Sequence, residues 1–502
     1  MSIISLILNI GLVAILLTAL IYFFNKKISI IDSFLQNFCG ALFIFSGWVK
    51  AIDPMGTGFK LEQYFQQFES TFAGTWMKFI APLFPILEKF SLSFSIFMIV
   101  LEIVLGIMLI IGAYRKLTSW LFFGIILFFT ALTGYTYLTG YVPDGVNFFD
   151  FKNWGLYSDN NMKVKDCGCF GDFIKLEPKI SFFKDIFLLI PAIWFLFRWR
   201  NLHQLFTGSL RNSITGFATI GLILFCLSNF VWNEPMIDFR PFKKGVNIKE
   251  QLANEKKAAA DVEIIAWSLK NKNTGELKIV PNEEYMKNFS KYPKTDWSVV
   301  DQVKSKPAIP ITKISDFEIT DATNNSMTDL ILDDNKNALI IISPKVKYTT
   351  KSEKVTVSDS IFVQDSIYFG KKKDSLRIDN RFSHVENKEI KKTIYTWDSE
   401  FLNRMKKDIL PFIDSLKGDN VTYYAIIGGI SEEALLDLKK TIGVEMPYFM
   451  ADDILLKTIM RSNPGIMHLR EGTVINKWHY RQLPEIKEVK EHQFHYNSLK
   501  LY

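Results

Sequence analysis

Cysteine and histidine are scarce in this sequence, and both are unevenly distributed. The 502 residues include four cysteines, all before residue 227, and six histidines, five of them after residue 380. Disulfides therefore cannot hold the second half together, and no long apolar run contains a histidine that would ligate haem or relay protons. The formal net charge of +7 is spread over both halves. Since nucleic-acid binding needs a concentrated basic face, the sequence argues against a nucleic-acid partner.

Charged residues are sparse in the first half of the chain. Residues 1–235 hold 31 of the 111 charged residues, and long apolar runs separate them. Six runs approach or exceed the length of a helix that crosses a hydrocarbon core of about 30 Å. They are Ile4–Phe24, Ile30–Val49, Leu92–Ala113, Thr118–Leu138, Phe182–Phe197 and Ile214–Trp232. The sequence thus predicts an integral membrane protein with about six transmembrane helices.

Three of these runs leave alternatives open. A signal peptide would explain the first run, but the basic pair Lys26–Lys27 follows it and no A-x-A cleavage pattern appears, which favours a retained helix. The second run is interrupted by polar residues such as Asp32, and the fifth is short and contains Pro191. A buried helix that does not span the membrane would also explain either of those two runs.

Basic residues concentrate in the short loops between the runs. Three such loops contain seven lysines and arginines and one acidic residue, Asp32. Because basic loops stay in the cytoplasm, both termini, the segments 51–90 and 139–181, and the whole second half are expected outside it. The predicted location is the bacterial inner membrane, with both termini in the periplasm and the lipid bilayer as one partner.

The outer segment 51–90 has a pattern of its own. Apolar residues recur there at helical spacing between polar ones, namely Leu61, Tyr64, Phe65, Phe68 and Phe72. Two interpretations fit this amphipathic helix equally well. It lies on the outer membrane–water boundary, or it packs on the outer end of the helical bundle.

The second half alternates strand-like and helical patterns. Leu339–Ser343 is a short apolar run of the kind that a buried strand has, and the polar segment 345–392 that follows is expected to be a hairpin insertion. A helix over 397–416, a strand over 421–427 and a helix over 431–442 come next, before two strands near 466–470 and 473–478. This order predicts an α/β fold.

Two stretches of the first half resemble known membrane proteins. The sequence FSGWVKAIDPMGTGFKLEQYF at residues 45–65, with LEIVLG at residues 101–106, resembles the DoxX family. The sequence DCGCFGD at residues 166–172 resembles the related MauE branch, named for methylamine utilisation and associated with redox chemistry. The resemblance covers roughly residues 30–200. It implies a four-helix core, to which the first and sixth spans are additions.

The last third resembles a degenerate thioredoxin fold. RSNPGIMHLREGTVINKW at residues 461–478 is similar to the cis-proline loop and antiparallel hairpin of that fold, with Asn463–Pro464 as the cis bond. A thioredoxin has its Cys-x-x-C after the first central strand, where this chain has Ser343–Pro344. The combination resembles fusion proteins of Bacteroidetes-type bacteria, which join a DoxX-like membrane part to a cysteine-free domain.

The expected fold is an α-helical membrane bundle followed by an α/β, thioredoxin-like extracytoplasmic domain. The bundle comprises a four-helix DoxX-like core and two extra spans. The predicted divisions are a first transmembrane helix (1–29), a DoxX/MauE-like membrane core (30–200), a sixth transmembrane helix (201–235), a linker with a small β-rich region (236–330) and the degenerate thioredoxin-like domain (331–502) with its charged insertion near 345–392.

Cys167 and Cys169 are the sharpest candidates for chemistry. Two thiols separated by one glycine can close a small strained ring, and strained, exposed disulfides are the labile ones. Three interpretations are open: a functional dithiol–disulfide, a structural clip in an extracytoplasmic loop, and a metal ligand pair. The last is the weakest, because tetrahedral sites need four ligands and no histidine lies nearby. No metal site is therefore predicted.

Other candidates lie elsewhere in the sequence. Glu102 falls in the middle of the third run, where a carboxylate needs an interior position and a partner; it is either a proton or ligand site or a lock between two helices. Asp53 is expected to cap and terminate the second helix rather than to act chemically. Cys39 and Cys226 read as small packed hydrophobes. Asn463 and Pro464 are a fold element with possible peptide docking beside them.

These observations favour a redox-associated membrane protein. Its Cys167–Cys169 pair would assist thiol–disulfide exchange or protein maturation outside the cytoplasm, as a membrane thiol–disulfide oxidoreductase or an accessory subunit of one. A membrane quinone is the conceivable electron carrier, and an extracytoplasmic protein is the expected partner. The alternative is a non-enzymatic membrane scaffold whose outer domain binds partner proteins, with the cysteines as a clip. The sequence does not specify an oligomeric state.

Overall fold

The fold is taken from a computed structural model that describes residues 3–164, 168–334, 337–369, 375–416, 421–487 and 489. Its first part is helical. The helices are α1 (Ile3–Phe24), α2 (Ile30–Ile52), α3 (Pro54–Ala73), α4 (Leu83–Lys89), α5 (Ser91–Ile111), α6 (Arg115–Thr139), α7 (Pro178–Arg198) and α8 (Gly208–Leu227).

Six of the helices within the described ranges are long and apolar enough to cross a membrane. They are α1, α2, α5, α6, α7 and α8, and they match the six apolar runs of the sequence. Their exposed faces are rich in leucine, isoleucine and phenylalanine, as the surface of a helix in contact with lipid is. The chain is thus a multi-pass membrane protein.

The closest helix contact in the bundle joins α2 and α5 through two glycines. A Cβ atom added at Gly40 would lie 2.8 Å from the carbonyl oxygen of Gly106, and one added at Gly106 would lie 2.7 Å from that of Gly40. Small residues allow this approach, since helices in lipid associate mainly by close packing. The contact brings the buried faces of α2 and α5 together around the central cavity.

The amphipathic helix of the outer segment is α3, and its apolar stripe packs on the bundle. Leu61, Tyr64 and Phe65 are buried in one cluster with Leu132 and Tyr135 near the outer end of α6. The Tyr64 hydroxyl also forms a hydrogen bond of 2.6 Å with the hydroxyl of Thr136. Of the two sequence interpretations, packing on the outer end of the bundle is therefore the one that agrees with these contacts.

The second part is α/β, as the order of its patterns predicts. Its helices are α9 (Ile248–Ala260), α10 (Asn282–Lys287), α11 (Thr328–Leu332), α12 (Ser399–Arg404), α13 (Leu410–Ser415), α14 (Glu432–Ile442) and α15 (Asp453–Ile459). Its strands are β1 (Ile264–Asn271), β2 (Leu277–Pro281), β3 (Trp297–Lys304), β4 (Asn337–Ser343), β5 (Tyr348–Phe369), β6 (Ser375–Trp397), β7 (Val421–Gly428), β8 (Tyr448–Ala451), β9 (Gly465–Arg470) and β10 (Thr473–His479).

The central sheet has the order β10-β9-β4-β7-β8. Strand β4 is parallel to β7 and antiparallel to β9, and all seven of its residues are buried. Leu339 and Ile341 face the cluster that contains Phe401 of α12, whereas Ile340 and Ile342 face the cluster of α11 and α15. Helices on both faces explain why this strand is a continuous apolar run.

The polar insertion forms one long hairpin, as the sequence predicts. Strands β5 and β6 pair in antiparallel register from Tyr348 opposite Trp397 to Phe369 opposite Ser375. A separate small sheet, β2-β1-β3, lies earlier in the chain. The helix over residues 397–416 is also present, although a short π-helical turn from Met405 to Ile409 interrupts it between α12 and α13.

Candidate functional site

A cavity opens between α2, α3, α5, α6 and α7 and the loop that precedes α7. It encloses about 820 Å³ of empty space, open solvent at its mouth included. Its walls are mainly apolar, with Leu42, Phe43, Met98, Ile99, Ile126, Phe128, Phe129, Leu132 and Leu188 among them. Its charged and sulfur-bearing lining residues are Lys50, Lys60, Glu102, Lys184, Asp185 and Cys169. Apolar walls with a few convergent polar groups are the kind of lining that small-molecule sites have.

Glu102 has a charged partner, Lys50. The Lys50 ammonium on α2 donates to the Glu102 carboxylate on α5, and the two side chains are only 5% and 3% exposed. The same ammonium lies 4.9 Å from the centre of the Phe129 ring. A charge inside a membrane protein requires such a partner. The pair joins two helices and also faces the cavity, so it combines features of both sequence interpretations of Glu102.

A second ion pair lines the cavity from α7. Lys184 Nζ lies 2.6 Å from Asp185 Oδ1, and the Thr133 hydroxyl of α6 donates to Asp185 Oδ2 at 2.9 Å. Asp185 is 1% exposed. The sequence interpretation missed Lys50, Lys184 and Asp185. Each of them is a charge within or beside an apolar run, which is the signal that identified Glu102.

Cys169 lies in the loop between α6 and α7 and lines the cavity. Its backbone carbonyl accepts a hydrogen bond of 3.0 Å from the Ser46 hydroxyl of α2, which fixes the loop to the bundle. Gly168 has a φ of +61°, a conformation that favours glycine. Burial raises the pKa of the Cys169 thiol above its ordinary value, while the positive charge of Lys184 opposes that rise. Lys184 thus favours the thiolate within an otherwise unfavourable environment.

Cys167, the predicted partner of Cys169, lies outside the described residues. No disulfide joins the three described cysteines, Cys39, Cys169 and Cys226. Cys39 and Cys226 are buried among apolar side chains of the bundle, as the packed interpretation expects.

Asp53 has a role that extends beyond helix capping. It follows the last residue of α2, and its carboxylate accepts a hydrogen bond of 3.2 Å from the Gly56 amide at the start of α3. The same carboxylate binds the guanidinium of Arg461, with contacts of 2.6 to 3.0 Å. Burial opposes ionisation of Asp53, but the charge and hydrogen bonds of Arg461 prevail and hold its pKa below the usual value.

The loop that contains Asn463 and Pro464 joins α15 to β9 and faces the membrane part. The Asn463–Pro464 bond is cis, as the sequence predicts. The Asn463 side-chain amide donates to the carbonyl of Lys345 at 2.5 Å, and the backbone carbonyl of Asn463 accepts from Arg404 at 3.0 Å. Arg461, at the start of this loop, is the residue that reaches Asp53.

The structure therefore brings five of the predicted site residues toward one region. Cys169 and Glu102 line the same cavity, while Asp53 lies beside the loop of Cys169 and contacts the loop of Asn463 and Pro464 through Arg461. A sequence search could not find Arg461, because it lies 408 residues from Asp53 and resembles any surface arginine.

Comparison with known proteins gives one match. Residues 28–144 match the family described as methylamine utilisation protein MauE. The matched segment includes Lys50, Asp53 and Glu102 and ends before the loop of Cys169. The MauE resemblance inferred from the sequence is thus confirmed for that segment. Neither the curated proteins nor the solved structures include a match to the chain.

Proposed function

We propose that this MauE-like, multi-pass membrane protein is a thiol–disulfide oxidoreductase, with Cys167 and Cys169 as its redox pair. The pair would accept electrons from a thiol protein outside the cytoplasm and pass them to a carrier in the bundle. One observation carries the proposal: Cys169 lines an apolar cavity between membrane helices that also contains two buried ion pairs. Charged side chains inside a membrane protein are costly in free energy, and for that reason they usually mark functional sites.

The electron balance identifies the class of carrier. Oxidation of two thiols to a disulfide releases two electrons and two protons, and reduction of a quinone to a quinol consumes both. The apolar walls suit the ring and isoprenoid tail of a quinone, and the residues that would hold its polar head are Lys50, Glu102, Lys184 and Asp185. The charge of Lys184 would stabilise the Cys169 thiolate, which is the form that exchanges with disulfides.

The proposed orientation places both termini in the periplasm, across the bacterial inner membrane. It is supported by the basic residues that surround the short loops at Lys26, Arg115 and Arg198. A reporter that is active only in the cytoplasm should give signal when fused after Arg200 and none when fused after Lys244. The reverse pair of results would contradict the orientation.

The proposed fold assignment is a four-helix DoxX-like core over 30–200, flanked by spans in 1–29 and 201–235. Beyond a linker with a small β-rich region (236–330), we assign residues 331–502 to a degenerate thioredoxin-like domain. Its support is the strand order β10-β9-β4-β7-β8, with parallel β4 and β7, an antiparallel hairpin at the end and a cis-proline before β9. Without cysteine, this domain would bind proteins rather than reduce them.

A non-enzymatic scaffold is the second candidate. The observation that favours it is the cysteine-free outer domain, which holds nearly three quarters of the charged residues and carries the exposed hairpin β5–β6. On that alternative, Cys167 and Cys169 would be a structural clip, and peptide docking beside Asn463 and Pro464 would be the main activity.

Serine variants of the purified full-length protein in proteoliposomes distinguish the two candidates. The assay supplies a reduced thiol protein and a short-chain ubiquinone, and quinol formation is measured by absorbance. We expect Cys167→Ser, Cys169→Ser and the double variant to lose activity to the same extent, because a redox pair acts as a unit.

Cys39→Ser and Cys226→Ser are the matched controls, since those thiols lie in the bundle away from the cavity, and both should stay near wild-type activity. Wild-type activity in the Cys167→Ser/Cys169→Ser variant would refute this redox pair, and the absence of quinol formation in the wild-type protein would refute the oxidoreductase and leave the scaffold.

A further inference from the structure

A second space lies between the central cavity and the α/β part of the chain, residues 236–502, which is called the outer part below. It encloses about 470 Å³ and is lined by Val49, Asp53, Gly56, Thr57, Lys60, Gly168, Gly171, Asp172 and Phe239. Thr57, Lys60 and Gly168 line both spaces, so the two are neighbours. The second space thus borders Gly168, the neighbour of Cys169, and it is called the route below.

Arg461 of the outer part lies at the edge of this route. Its side chain is 3% exposed, binds both oxygens of Asp53 and lies 3.9 Å from the carboxylate of Asp172. A Cβ atom at Gly56 would lie 3.2 Å from Arg461 Nη2, so the glycine leaves just enough room for the guanidinium. One arginine therefore bridges two acidic residues that border the route.

The contacts around Arg461 are mostly polar. The Glu234 carboxylate accepts from the backbone amides of Arg461 and Ser462 at 3.0 and 2.7 Å. Lys457 lies 3.7 Å from Glu62, and the cationic groups of Lys457 and Arg461 lie 5.2 and 5.3 Å from the centre of the Phe59 ring. Charge pairs and cation–π contacts thus hold this side of the outer part.

Hydrophobic packing between the two parts is slight. Among the described residues, no buried hydrophobic cluster contains side chains from both the membrane part and the outer part. One aromatic contact, between Phe173 and Phe239 with ring centres 5.0 Å apart, joins the loop of Cys169 to the exit segment that follows the last span. Interfaces of this polar kind resemble transient protein–protein interfaces.

We propose that the outer part is a removable cover over the route to Cys169, with Arg461 and Asp53 as its latch. In the closed state a soluble protein cannot reach the loop of Cys169, and separation of Arg461 from Asp53 opens it. The uncovered surface contains three acidic residues, Asp53, Glu62 and Asp172, against two lysines, Lys60 and Lys175. Its acidic excess is small, so the partner that fits it is a thiol protein with a basic residue beside its reactive cysteine. The identity of this partner rests on the proposed function, whereas the proposal that the outer part covers Cys169 does not.

The test measures access to Cys169 in a protein that has no redox pair. The variant Cys39→Ser/Cys167→Ser/Cys226→Ser, in proteoliposomes, leaves Cys169 as the one thiol. The rate constant for reaction of Cys169 with a polymer-linked maleimide is divided by the rate constant for N-ethylmaleimide. This ratio reports steric access independently of the thiol pKa, because both reagents react with the same thiolate. Adding Arg461→Ala or Asp53→Asn should raise the ratio at least about tenfold, since a truncated partner destabilises the closed state.

Lys306→Ala is the matched control. Lys306 and Glu177 form an ion pair between the same two parts at 2.7 Å, but both side chains are largely exposed, at 88% and 62%. Exposed pairs contribute little, so this variant should leave the ratio within about twofold.

An unchanged ratio in both Arg461→Ala and Asp53→Asn would overturn the cover. If those variants do not fold, a salt titration of the three-serine protein decides, because salt stabilises the separated charges of the open state. The ratio should rise between about 0.05 and 1 M salt, and a constant ratio would overturn the proposal. Failure of the oxidoreductase would instead appear in the quinol assay, as no quinol formation by the wild type or as full formation by the double serine variant, and the maleimide measurement depends on neither.

Discussion

At the residue scale, the main feature is the presence of two ion pairs in a membrane cavity. Lys50 with Glu102, and Lys184 with Asp185, form two pairs of opposite sign with no net charge. Removing one member of a buried pair leaves the other uncompensated, whereas removing both does not. This asymmetry makes the pairs testable without knowledge of the ligand.

Lys50→Met should destabilise the protein by about 3–5 kcal/mol, because it leaves the Glu102 charge buried and unpaired. The double variant Lys50→Met/Glu102→Gln should be more stable than Lys50→Met, since it removes both charges. Thermal unfolding of the detergent-solubilised protein measures each free energy. A double variant less stable than Lys50→Met would show that the carboxylate has other partners of importance.

His479 should make the outer part sensitive to mild acid. Burial lowers the pKa of its imidazole to about 4, and its Nδ1 accepts a hydrogen bond from the Arg481 amide at 3.2 Å. The unfolded chain binds the proton near pH 6.5, so stability is fully present above that pH and is lost progressively as the pH falls toward 4. The melting temperature of His479→Gln should fall less than that of the wild type between pH 7 and 4.5. Parallel melting curves would contradict this role.

The sequence identified single residues better than pairs. Glu102 is conspicuous as one carboxylate in an apolar run, but its partner Lys50 lies at the end of another run, where a lysine resembles an ordinary flanking charge. Asp53 was expected to cap a helix, and its carboxylate does cap α3, yet its bond to Arg461 depends on how two distant parts meet. Local patterns contain no information about such contacts.

At the element scale, the contact of α2 with α5 sets the shape of the cavity. Gly40 and Gly106 allow the two backbones to approach so closely that any side chain at either position would meet the opposite carbonyl. The Lys50–Glu102 pair joins the same two helices. The packing of α2 against α5 therefore depends on both the close backbone approach at the glycines and the ion pair.

Gly106→Leu should separate α2 from α5 and destabilise the bundle by at least about 1–3 kcal/mol, the usual range for overpacking. Gly124→Leu is the matched control, because a Cβ there would have nothing within 4 Å and the residue is exposed on a membrane helix. It should change the free energy of unfolding by less than about 0.5 kcal/mol. Equal effects of the two substitutions, measured by thermal unfolding in detergent, would contradict the close contact.

Apolar length and periodicity were sufficient to predict most elements. All six membrane helices, the buried strand β4 and the long hairpin lie where the sequence places them. The amphipathic pattern of α3 was ambiguous for a physical reason. Periodicity defines which face of a helix is apolar, but a lipid surface and a protein surface satisfy that face equally well, so only the cluster with Leu132 and Tyr135 distinguishes them.

At the scale of the whole molecule, the segment that follows the last membrane helix belongs to the fold of the outer part. Phe242 is fully buried, with its ring centre 5.7 Å from that of Phe317, and it belongs to one face of the central sheet core. The Gly245 amide donates to the carbonyl of Val474 in β10 at 2.8 Å. The segment that leaves the membrane is thus integrated into the fold of the outer part.

Residues 236–502 expressed without the membrane part should fold alone, since their clusters are self-contained and need no disulfide. A shorter piece, residues 246–502, should be less stable by about 3–5 kcal/mol because it lacks Phe242. Phe242→Ala in the longer piece should reproduce most of that loss. Cooperative melts followed by circular dichroism measure both differences, and equal stability of the two pieces would show that the exit segment is dispensable.

The bond between Arg461 and Asp53 also has a consequence during synthesis. The two residues are 408 positions apart, and at about 5–20 residues per second a ribosome needs roughly 20–80 s to pass from one to the other. Throughout that interval the membrane helices can insert and pack, while Asp53 has no ion-pair partner because Arg461 has not yet been synthesised. A chain whose translation stops early never acquires Arg461. An incomplete chain therefore differs chemically from a finished one beside the cysteine loop, because its Asp53 carboxylate has no arginine partner.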